Sequence, residues 1–170
     1  MRNVPTPLLD PNKPLNFHVV VLNHLMVFSQ SLAYRQCDYE EMVRTLEGLV
    51  TPIMSHVERT VLRKFKLIMA ELHDYLLYFY KEKKQKCSDE EELKRVDREE
   101  EEDLYRFRTA YYNLLFKWLV YCGCRFQGGK SDTYTQDEFF EDVKIELQSI
   151  FSNKVIEEVF RKYGACRCEG

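Results

Sequence analysis

Residues 52–86 read PIMSHVERTVLRKFKLIMAELHDYLLYFYKEKKQK, and this stretch decides the fold. Val57, Val61, Phe65, Ile68, Leu72, Tyr75 and Phe79 recur at steps of four, four, three, four, three and four. At about 100° per residue, all seven fall within an arc of about 80° on one helix. Leu62, Met69, Leu76 and Tyr80 widen the arc to about 140°. Thr51-Pro52 supplies a start signal, with Thr51 as cap and Pro52 at the first helical position. At roughly 1.5–3 kcal/mol per buried large side chain, burying this stripe contributes on the order of 10–20 kcal/mol before conformational entropy opposes it. Left in water it would aggregate, so other helices or a second copy must cover it.

Working outward, residues 88–103 (SDEEELKRVDREEEED) hold ten acids and three bases, with Leu93 and Val96 as the only apolar residues. This block reads as an acidic linker or an exposed helix inside the domain, or as a docking strip for a basic partner. A fourth helix is expected from about Glu100 to Cys122, with Leu104, Phe107, Tyr111, Leu115, Trp118 and Cys122 on its inner seam. After the Gly128-Gly129 loop, Thr135 and Glu138 form a capping box, and Phe139, Phe140, Val143, Leu147 and Ile150 carry a helix to about Ser149. Ser152 caps a last helix, which Gly164 stops.

Toward the N-terminus, a short helix is expected from Asp38, its N-cap, to about Leu49. Residues 15–36 read as a helix that is apolar all round and central in the core. Residues 1–14, with three prolines, read as an extended arm. The chain as a whole is expected to be all-α: an arm over residues 1–14, then one bundle over 15–170 of about five or six helices around one long central amphipathic helix.

Composition bounds the function. At 170 residues with 45% hydrophobic and 31% charged side chains, the chain is long enough to bury a core. A net charge of −3 gives no global pull on nucleic acid, so any such contact must use a local patch. The N-terminus lacks the apolar core of a secretory signal, and polar residues interrupt Leu15–Ala33, so no membrane span is expected. The expected compartment is cytoplasm or nucleus, where the six cysteines stay reduced. A secreted helical factor is disfavoured on the same ground.

Three constellations could carry chemistry. Cys122-Gly123-Cys124 and Cys166-Arg167-Cys168 could supply four thiolates to a structural zinc, although the usual spacing leaves two to four residues between the ligands. Arg59, Arg63 and Lys66, continued by Lys81, Lys83, Lys84 and Lys86, form a basic face on the long helix that could meet phosphates. The neighbouring acidic block would compete for those lysines. Aromatic residues are abundant, and Tyr78, Tyr80 and Tyr112, with Arg63, are the expected partner-binding residues because tyrosine and arginine anchor interfaces.

No Gly-rich phosphate loop, nucleophile elbow or metal-binding His pattern is present, so no catalytic residue and no cofactor is assigned and no enzyme is expected. The expected function is an intracellular protein–protein interaction module, as adaptor, scaffold or regulatory subunit. It would act through an exposed aromatic and apolar helical surface, on another protein or on itself as a homo-oligomer. The alternative is a zinc-stabilised nucleic-acid binder using the basic face.

Overall fold

The computed structural model describes residues 36–126 and 135–165. Five α-helices appear there: α1 (Gln36–Val50), α2 (His56–Gln85), α3 (Glu90–Phe126), α4 (Gln136–Leu147) and α5 (Asn153–Lys162), with a single 3-10 turn at Thr51–Ile53. Among the described residues no strand occurs, and the chain is an all-α helical bundle. None of these helices is long and apolar enough to cross a membrane. The arm expected at 1–14 and the helix expected at 15–36 lie outside the described residues, apart from Gln36 itself.

Local signals set the helix starts, and three differ from expectation. The long helix begins at His56, not Pro52. Ser55 caps it: Glu58 N donates to Ser55 Oγ at 3.2 Å, and Ser55 N donates to Glu58 Oε1 at 2.9 Å. This S-x-x-E box outcompetes the Thr-Pro signal because it satisfies two orphan amides at once. Thr51 instead donates its hydroxyl to the carbonyl of Glu47, and Pro52 sits in the 3-10 turn. The second difference is larger. Of the two readings of the acidic block, linker or exposed helix, residues 90–103 take the helical one as the first part of α3, so that helix starts at Glu90 rather than near Glu100. Asp89 accepts from Glu92 N at 2.7 Å, and Glu90, Glu91 and Glu92 occupy the first turn, where the macrodipole favours acids. At α4 and α5 the expected caps are present. Thr135 and Glu138 form their reciprocal box, Ser152 accepts from Val155 N, and Gly164 ends α5 at a φ of 70°. α1 is helical from Gln36, so Asp38 lies inside its first turn rather than capping it.

The described residues fall into two compact units. The first comprises residues 36–60 and 112–126. Val43, Leu46, Val50 and Met54 are buried in it, as are Leu114, Leu115, Trp118, Leu119 and Cys122 of α3. Glu58, only 5% exposed, accepts from Arg125 Nε and Nη2 at 2.5 and 2.8 Å, while Arg125 also reaches the carbonyl of Ile53. Trp118 Nε1 donates to the Glu58 carbonyl at 3.3 Å. The capping carboxylate thus also anchors the end of α3.

The second unit comprises residues 61–111 and 135–165. Phe65 is fully buried at its centre, stacked on Tyr111 at 5.5 Å and tilted against Phe139 at 5.4 Å. Val61, Ile68 and Leu72 line up with it, and Leu62, Met69, Leu76 and Tyr80 extend the buried side of α2. Phe139, Phe140, Val143 and Leu147 of α4 and Ile156, Val159 and Phe160 of α5 complete the core. Lys162 and Tyr163 tie the end of α5 to Glu71 at 2.9 and 2.7 Å. Farther along, α2 and α3 run antiparallel as a hairpin. Among the described residues, every hydrogen bond, ion pair and ring contact of residues 76–103 stays within these two helices and the turn that joins them.

Two outcomes are expected. Ser55→Ala lowers the unfolding free energy by about 1 kcal/mol, and Thr51→Ala by less than about 0.5 kcal/mol, in urea titrations; the reverse order would return the helix start to Pro52. The second concerns pH. Hydrogen bonds from Lys162, then Tyr163, hold the Glu71 carboxyl below its ordinary 4.5. The unfolded chain therefore takes up this proton first on acidification. Glu71 stabilises the fold fully above the ordinary carboxylate range, and that stability is lost as pH falls through the lowered value. In thermal melts from about pH 6 to about pH 3, the wild-type Tm should fall more steeply than that of Glu71→Gln.

Candidate interaction surface

The buried side of α2 fixes what its other side presents. Residues 63, 67, 70, 74, 77 and 81 recur at steps of four, three, four, three and four, which at about 100° per residue places them opposite the Phe65 seam. Leu67, Leu77 and Tyr78 on this side are exposed, with Tyr78 at 62%. Ala70 between them is also exposed and leaves the backbone approachable. Arg63 and Lys81 stand exposed at the two ends. Glu82, beside the Tyr78 phenol, raises its pKa.

The hairpin extends this apolar surface around α2. Tyr75 and Phe79 belong to the seam expected inside, yet they are 42% and 44% exposed. The reason is local cover. Phe151 reaches Tyr75 edge-on at 6.1 Å, whereas among the described residues Phe79 meets only Tyr80 as a ring neighbour and Lys83 as a cation over its face. Val57, at the first turn of the helix, is likewise exposed rather than inward.

Two of the four expected partner-binding residues are on the surface, and two are not. Tyr78 and Arg63 share the outer line of α2. Tyr80 is 4% exposed. Its hydroxyl donates to Asp103 Oδ2 at 2.5 Å, and burial, with Asp103 next, pushes its pKa far above the usual phenol range. Two positions along a helix turn about 200°, so exposing Tyr78 sends Tyr80 inward. Tyr112 is 8% exposed in the first unit, where its hydroxyl accepts from Arg44 Nη2 at 2.8 Å and the guanidinium lies 5.6 Å from its ring. These two tyrosines hold the fold. Leu67 and Leu77, which sequence reasoning missed, replace them on the surface. Their signal was the second three-four repeat, hidden because charges interrupt it.

The basic face is partly neutralised. Lys83 pairs with Glu99 at 3.1 Å, and Lys84 with Asp97 at 3.0 Å and Glu100 at 2.5 Å. Arg59, Arg63, Lys81 and Lys86 are exposed, and Lys66 is half-buried with an interaction of its own. Cys122 is fully buried on α3, and burial pushes its thiol well above the ordinary range. Its neighbours there are Glu58 and Arg125. The side chain of Cys124, and Cys166 and Cys168 altogether, lie outside the described residues. Among the described residues no cluster of three or more His, Cys, Asp or Glu could hold a metal.

The contrast between surface and core tyrosines can be measured. Tyr80→Ala and Tyr112→Ala should each lower stability by about 3 kcal/mol, whereas Tyr78→Ala should change it by less than about 0.5 kcal/mol. Urea denaturation of the three variants checks this, and a large loss in Tyr78→Ala would place that ring in the core.

Compared with known proteins, the chain matches no protein-family model, no curated protein and no solved structure.

Proposed function

We propose that this chain is a protein–protein interaction module that acts in the cytoplasm or nucleus through the outer face of α2. One observation carries the reading: Leu67, Leu77 and Tyr78 stand exposed along a helix whose opposite side is already filled by the protein's own core. Isolated exposed apolar residues are ordinary. A line of them with an aromatic anchor, bordered by charge, is the arrangement that helix-in-groove and helix-on-helix recognition use. The module would serve as an adaptor, scaffold or regulatory subunit, and the reading assigns no catalytic residue. Nucleic acid is the weaker reading, because Lys83 and Lys84 are spent on the acids of α3.

The test compares the full chain with Leu67→Ser/Tyr78→Ala. Both are passed over immobilised cell extract proteins and examined by sedimentation. A protein retained by the wild type, or a self-association, that the double variant lacks supports the reading. A wild type that stays monomeric and retains nothing overturns it.

A further inference from the structure

We draw no further inference here: the strongest candidate, the exposed apolar line of Leu67, Leu77 and Tyr78 on the outer side of α2, carries nothing beyond the interaction surface already proposed, because nothing in the structure shows what covers it.

Discussion

Burial of Phe65 is the constraint on which the second unit turns. The ring is closed in by Tyr111 of α3 on one side and Phe139 of α4 on another, with no exposed surface left. Two such ring contacts contribute about 0.5–1.5 kcal/mol each beyond area burial, and both are directional. They fix α2 in rotation about its own axis. Once Phe65 faces inward, Val61, Ile68 and Leu72 must follow, and positions 63, 67, 70, 77 and 81 are turned to solvent. The outward apolar line is thus a geometric consequence of the core. What the core does not dictate is that leucine and tyrosine occupy it.

The hairpin beyond the core is held differently. There α2 and α3 meet through Tyr80 and Val96, both buried, and through ions. Lys83 and Lys84 face Asp97, Glu99 and Glu100, and the Tyr80 hydroxyl finds Asp103. A run of like charge is a poor isolated helix because acids four apart repel. Here the repulsion is offset at both ends of the run. Its first turn sits at a helix N-terminus, where negative charge is favoured, and its later acids lie opposite lysines of the antiparallel neighbour. Exposed pairs of this kind are individually weak. As a set they choose the register of the two helices, and with it which aromatic side chains of residues 75–80 are covered.

Much of this was legible in the sequence. The three-four repeat of Val61, Phe65, Ile68 and Leu72 located the core side of α2, and the capping signals at Thr135 and Ser152 placed α4 and α5. The failures have physical causes. Periodicity assigns a direction round a helix but not the length over which neighbours cover it, so Tyr75 and Phe79 read as core. Composition left residues 88–103 open between linker and exposed helix, because the lysines that balance them come before the turn. At α2 two start signals lay four residues apart, and the reciprocal Ser55–Glu58 bonds win over Thr51-Pro52. The surface tyrosines were half found. Tyr78 and Tyr80 are the same residue type two positions apart, and only the helix setting separates an exposed ring from a buried structural bond.

That separation also explains how one helix can serve stability and recognition together. The residues of α2 that hold the second unit lie on one arc, and the exposed Leu67, Leu77 and Tyr78, proposed above to meet a partner, lie on the opposite arc. Residues on a helix interact chiefly with those three and four positions away on their own side. Changes on the outer arc therefore leave the inner contacts nearly untouched, and the two sets of substitutions should add independently. Glu71 and Tyr78 mark the limits of this independence. Glu71 borders the outer line yet ties down Lys162 and Tyr163, and the Tyr78 hydroxyl leans on Glu82. A partner that reached past Tyr78 to compete for Glu71 would loosen the end of α5. One that stopped at the apolar line would leave these contacts of Glu71 in place.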